Sequence, residues 1–185
     1  EAVEQSLKRL QTDVIDLWQF HEIVYPEDPR MIAEGEALEA AEEAKRQGKV
    51  RFIGFTGHKD PAIFKDMLAL DYAWDAVQLP VNAFDPHYRS FIHEILPILA
   101  ERNIAPIAMK TMASGFLLEP GVITAEEALR FSWSQPVCTI VSGMKDQDIL
   151  QKNVALAKSF TPMPKEEQTA LLEKTREVAL AGKNE

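Results

Sequence analysis

Five strand-length apolar runs, each followed by a helical pattern, constrain this chain more than any other feature. The runs are VIDLWQF at 14–20, VRFIGFT at 50–56, DAVQLPV at 75–81, IAPIAM at 104–109 and VCTIVS at 137–142, all enriched in β-branched and aromatic residues. Between them, apolar residues recur at helical spacing: Leu38, Ala41 and Ala44, then Ile63, Phe64, Met67 and Leu68, then Phe91, Ile92, Ile95, Leu96 and Leu99. Ala125, Ala128 and Leu129 make a fourth pattern, and Ile149, Leu150, Val154 and Ala157 a fifth. Strands that alternate with helices pair in parallel through right-handed crossovers. The outcome is a doubly wound sheet or a (β/α)₈ barrel. A doubly wound dinucleotide domain carries G-x-G-x-x-G after its first strand, and none is present; Gly54 and Gly57 are too close together and follow the second run. The opening residues EAVEQSLKRL read as the middle or end of an amphipathic helix, with Val3, Leu7 and Leu10 on one face. The expectation is an α/β fold, a (β/α)₈ TIM barrel. Residues 1–185 would form a single domain holding about its last five βα units plus a C-terminal helix, with about 100 residues preceding them at roughly 30 per unit.

Punctuation agrees with this layout. Gly48 follows the alanine-rich helix, Thr124 with Glu127 predicts a capping box, and Asp146 predicts an N-cap. Pro97 lies inside a helical pattern and predicts a kink or an early break. Pro164 predicts the first turn of a last helix with Leu171, Leu172 and Val178 as its apolar face, and EIVYPEDPRM at 22–31 reads as the longest connection. Charge narrows the partners: 20 Lys and Arg against 29 Asp and Glu give −9, which disfavours nucleic acid and anionic membrane surfaces and favours a small molecule or another protein. No apolar run approaches the roughly 20 residues of a membrane helix. A single cysteine, Cys138, offers no intrachain disulfide and no Cys-rich zinc site, and predicts a reducing, cytoplasmic setting.

In either architecture the working end lies where strands finish. His21 follows the first run; Thr56, Gly57, His58 and Lys59 the second; Gln78 and Asn82 lie at the third; Met109 and Lys110 at the fourth; Ser142, Gly143, Met144 and Lys145 at the fifth. His21 shares the parity of Ile15, Leu17 and Gln19, so it is either a satisfied structural residue or a group for proton transfer or substrate hydrogen bonding. Lys59, Lys110 and Lys145 are rim cations in an acidic chain and suit phosphate, helped by backbone N–H groups of GFTGH and SGMKD, although surface lysines also serve simply to solvate a rim. Gln78 either reads an amide or bonds to backbone. Trp18, Trp74 and Trp133 read as core residues, and the four histidines have no metal-ligand spacing.

Taken together, DVIDLWQFH, GKVRFIGFTGH, VQLPVN and IVSGMKDQDILQKN resemble the aldo-keto reductases, in the right order and over essentially the whole chain. That resemblance implies an oxidoreductase transferring hydride from NADPH, with NADH as the other possibility, to a small-molecule carbonyl, and no metal. Of the family's Asp, Tyr, Lys and His tetrad only the His maps here, onto His21; the other three would precede this chain. The Ser and Asn that hold the nicotinamide carboxamide correspond to Thr56 and Gly57, keeping the hydroxyl and losing the amide. Gln78 matches the carboxamide-binding glutamine, Met109 the ring-stacking tyrosine and Asn153 the adenine-binding asparagine. Lys110 would reach the pyrophosphate, and Gly143, Met144 and Lys145 form the 2′-phosphate loop, since Ile149 stands where the family has a basic residue. These departures resemble a branch carrying F-T-G-H. The resemblance leaves two functions open: a carbonyl reductase, or a cofactor-sensing barrel without turnover. Substrate and oligomeric state are not specified.

Overall fold

The structure is a computed structural model that describes residues 2–119 and 121–181. The chain divides into two compact units, Glu1–Gln78 and Leu79–Glu185.

The first unit opens with α1 (Ala2–Leu10), β1 (Ile15–Phe20), α2 (Asp28–Glu34), α3 (Glu36–Arg46), β2 (Val50–Thr56) and α4 (Pro61–Ala69). It ends within β3 (Ala76–Pro80). β1 pairs with β2 in parallel, Gln19 opposite Gly54 and Phe20 opposite Phe55. β2 pairs with β3, Gly54 opposite Ala76 and Thr56 opposite Gln78. Paired residues share a face of the sheet. Ile53, Phe55 and Val77 therefore lie on one side, all fully buried, where α4 contributes Phe64 and Met67 and α3 its Ala41 and Ala44 stripe. Phe55 makes edge contacts at 5.1 Å with both Phe64 and Trp74, so Trp74 is the core residue its sequence context predicts. Its indole N–H is satisfied by the Met67 carbonyl at 3.0 Å. Gly48 ends α3 with φ +72°, a left-handed turn that suits a residue without Cβ. The segment at 22–31, read from sequence as connection only, contains the start of α2. The Asp28 carboxylate accepts the N–H groups of Val24 and Tyr25 at 2.7 and 2.8 Å, and Pro29 enters the first turn.

The second unit continues β3 and adds α5 (Phe91–Glu94), α6 (Leu96–Glu101), β4 (Ala105–Met109), α7 (Ala125–Trp133), β5 (Thr139–Ile140), α8 (Gln147–Lys158) and α9 (Lys165–Leu180). The break at Ile95 is the interruption predicted from Pro97, whose ring and missing N–H disallow one continuous helix. Thr124 and Glu127 form the reciprocal capping box, and the Asp146 side chain caps α8 through the Ile149 N–H at 2.8 Å. β5 is shorter than the predicted 137–142. Its ladder to β4 holds Ile107 opposite Thr139 and Ala108 opposite Ile140, with single further bonds from Cys138 N–H to the Pro106 carbonyl and from Val141 N–H to the Ala108 carbonyl. Leu117, Ala128, Phe131, Met163 and Leu171 form the core of this unit. α8 contributes no buried residue, and its Leu150 and Val154 are each 43% exposed. The strand order is β1-β2-β3-β4-β5 in one sheet, with the βα alternation of a partial (β/α)₈ barrel.

Candidate functional site

In the first unit the residues singled out from sequence sit at the C-terminal ends of β1 and β2 and, for Gln78, in the middle of β3. Thr56 closes β2 and is 4% exposed, whereas His21, one residue past β1, is exposed to solvent. The loop after β1 is laid against the end of β2: the Ile23 N–H donates to the Thr56 carbonyl at 2.8 Å, and the Glu22 carboxylate contacts His58 Nε2. This approach explains the glycine at 57. A Cβ there would lie 2.4 Å from the Ile23 carbonyl oxygen and 2.9 Å from Cε2 of Phe64, so the amide side chain that the family pattern places here has no room.

A second amide takes part instead. Gln19 Nε2 donates to Gln78 Oε1 at 3.0 Å, joining β1 to β3 across the position of Gly54 on β2. Gln19 Oε1 is buried with no hydrogen-bond partner. Leaving a buried carbonyl unsatisfied costs about 1–3 kcal/mol, so stability alone does not favour this arrangement. Sequence reasoning noted Gln19 only as sharing the parity of His21. The available signal was an amide on the face of β1 that carries Ile15 and Leu17, two residues before the histidine.

In the second unit, Met109 is the last residue of β4 and is 9% exposed. Lys110 follows with φ +53° and an exposed side chain. A non-glycine residue in the left-handed region carries strain of about 1–2 kcal/mol, and the surroundings hold it there. The Lys110 carbonyl accepts Asn82 Nδ2 at 3.1 Å and the Ala113 N–H at 2.7 Å. Asn82 is thus a clamp on this turn, its Oδ1 accepting the N–H groups of Phe84 and Asp85. Gly143, Met144 and Lys145 form an exposed loop after β5, and a Cβ at Gly143 would meet nothing within 4 Å. Asn153 on α8 donates to Ser142 Oγ at 3.2 Å, tying that helix to the loop.

The same unit holds a partly buried carboxylate. Burial pushes Asp85 up to about 6, against the opposing pull of the Ser90 hydroxyl at 2.6 Å and the N–H groups of Phe91 and Ile92 at 2.9 Å. Burial likewise lowers His87, with Arg176 adding to the effect; its Nε2 lies 3.1 Å from Thr175 Oγ1. Among the described residues, no group of three or more His, Cys, Asp or Glu could hold a metal ion. No helix of the described residues is long and apolar enough to cross a membrane.

Comparison with known proteins adds relationships to this geometry. The model of the Aldo/keto reductase family matches residues 1–126. The chain is 31% identical over 130 residues to the "Uncharacterized oxidoreductase YqkF" of Bacillus subtilis (strain 168), covering 70% of this chain and 39% of that protein. It is 28% identical over 130 residues to L-galactose dehydrogenase of Arabidopsis thaliana, covering 65% and 37%. The holo form of aldo-keto reductase AKR11C1 from Bacillus halodurans superposes with a TM-score of 0.75 over 94% of this chain and 63% of that one, at 24% identity. The chain therefore matches less than two thirds of the length of each of these relatives.

Proposed function

Because the chain belongs to the aldo/keto reductase family, we propose that the protein carrying it reduces an aldehyde or ketone to the alcohol with a nicotinamide dinucleotide, NADPH in preference to NADH, in the cytoplasm. The observation that carries this reading is the polar cluster of Gln19 near the end of β1, Thr56 at the end of β2 and Gln78 within β3, on three adjacent strands. A partly buried amide pair with one buried, unsatisfied carbonyl oxygen suits an environment built to bind a carboxamide.

When bound, the cofactor supplies the hydride that adds to the carbonyl carbon. The residues of this chain bind and orient. Thr56 and Gln78 hold the carboxamide, and Met109 packs on the nicotinamide ring through its polarisable thioether. Lys110 faces the pyrophosphate, Gly143, Met144 and Lys145 take the 2′-phosphate, and Asn153 takes the adenine. His21 holds an N–H against the substrate oxygen, polarising the carbonyl and fixing its approach. The proton that the oxygen gains comes from the family's tyrosine, which, with its Asp and Lys partners, we assign to sequence preceding residue 1.

Single-turnover reduction of an aldehyde by the full-length protein tests this. Turnover is expected, and His21→Ala should lower it about ten- to a hundredfold, the value of a hydrogen bond to a charge-bearing oxygen, with cofactor affinity unchanged. Dinucleotide binding without turnover would identify a cofactor-sensing barrel instead. Loss of cofactor binding in His21→Ala would return His21 to a structural role.

A further inference from the structure

The Gln19–Gln78 contact spans β2. Gln19 and Gln78 lie on strands two spacings apart, about 10 Å, and β2 runs between them. Gln19 is opposite Gly54, Gly54 opposite Ala76, and Thr56 opposite Gln78, so all five residues share one face. A Cβ at 54 would fall 2.3 Å from the Ala76 carbonyl oxygen, so β2 raises no side chain opposite Gln19. With glycine there, the amides close over β2 and meet at 3.0 Å.

A primary amide has distinct ends, an acceptor oxygen and a donor nitrogen, so a bond to one end sets which end faces elsewhere. Gln19 gives its N–H to the Gln78 oxygen, which turns the oxygen of Gln78 toward β1 and its amino group away. We propose that Gln19 is a positioning residue: by engaging Gln78 Oε1 it makes Gln78 present N–H, rather than C=O, to the nicotinamide carboxamide. Gln78 then reads the carboxamide oxygen and not its amino group. The inference rests on the assignment of this cluster to the nicotinamide. It also accounts for an amide at 19 whose own oxygen is left buried without a partner, since only the donor end of Gln19 is used.

The test is equilibrium binding to the full-length protein, followed by tryptophan fluorescence, with three oxidised dinucleotides that differ at the carboxamide. The parent has C=O and NH₂; the 3-acetylpyridine analogue keeps C=O and loses NH₂; the thionicotinamide analogue keeps NH₂ and replaces C=O with the weaker acceptor C=S. The unmutated protein should bind the acetylpyridine analogue within about twofold of the parent and the thio analogue about five- to tenfold more weakly, the value of one hydrogen bond. Gln19→Leu should bring all three within about twofold of one another. Gln19→Glu has no donor for Gln78 Oε1 and accepts from Gln78 Nε2, so it should reverse the order, with the acetylpyridine analogue bound worst. ADP-ribose, which lacks the ring, should bind all proteins alike and reports an intact fold. A selective loss of acetylpyridine binding in the unmutated protein would overturn the proposal, as would an unchanged order in either variant. If Gln19→Leu does not fold, the unmutated protein and Gln19→Glu still decide. Failure of every dinucleotide to bind would overturn the functional assignment as well, whereas binding in the wrong order overturns the role of Gln19 alone.

Discussion

Replacing Gly57 by alanine probes the contact that shapes the site. The added Cβ would lie 2.4 Å from the Ile23 carbonyl oxygen and 2.9 Å from the Phe64 ring. Neither neighbour can yield cheaply. Ile23 is held by its N–H bond to Thr56 at 2.8 Å, and Phe64 is fully buried against Phe55. Overpacking of this kind costs about 1–3 kcal/mol, and loosening the Ile23 hydrogen bond adds about 0.5–1.5 kcal/mol. Reduced freedom of the unfolded chain returns about 0.4–1 kcal/mol. The net expectation is a destabilisation of about 2–3 kcal/mol, or a fall of roughly 1 M in the urea midpoint at an ordinary denaturant slope of about 2 kcal/mol/M. Gly143→Ala is the control, because its Cβ meets nothing within 4 Å, and it should move the midpoint by the equivalent of about 0.5 kcal/mol or less. Urea unfolding of both variants, followed by tryptophan fluorescence, makes the comparison. Equal midpoints for the two would refute the claim that the loop after β1 excludes a side chain at 57. Gly57→Asn, which restores the family's amide, should be at least as destabilised as the alanine variant.

Three other outcomes are expected. Asp85, pushed up to about 6 by burial, has a folded value above its unfolded one near 3.9. Its contribution to stability is therefore full below about pH 4 and lost as pH rises through 6, in total about 3 kcal/mol; urea denaturation from pH 4 to 7.5 should show this slope in the unmutated protein relative to Asp85→Asn. Thr124→Ala removes the acceptor for the Glu127 N–H at 3.1 Å and should cost about 1 kcal/mol, read in the same assay, with no effect on dinucleotide affinity. Lys145→Ala should remove most of a preference for NADPH over NADH, about ten- to 150-fold for a charged hydrogen bond, while Lys110→Ala weakens both cofactors equally; a Lys145→Ala protein with its preference intact would place the 2′-phosphate elsewhere.

Much of the fold was readable in one dimension because its determinants are local. Hydrophobic runs of strand length alternate with helical stripes, and these periodicities specify which face of each element is buried whatever lies next to it. The break at Pro97, the capping box at Thr124 and the Asp146 cap are set by residues within four positions of one another. His21, Thr56 and Met109 could be placed at strand ends, and Gln78 on β3, by the same logic, since a strand's end is marked along the chain. Other features depended on neighbours distant in sequence. The glycine at 57 departs from the family pattern, and only the packing of Ile23 and Phe64 against it shows that a side chain is excluded. Asn82, a polar strand-end residue in the sequence, holds a turn 28 residues away. α2 grew out of a segment that reads as loop, because a carboxylate three and four residues along captures the backbone N–H groups of Val24 and Tyr25. The Gln19–Gln78 bridge is the extreme case: it joins residues 59 apart across an intervening strand that carries glycine opposite Gln19. Periodicity tells which way a side chain points, but what it meets there is decided by parallel register, a property of two or three strands together and of no single one.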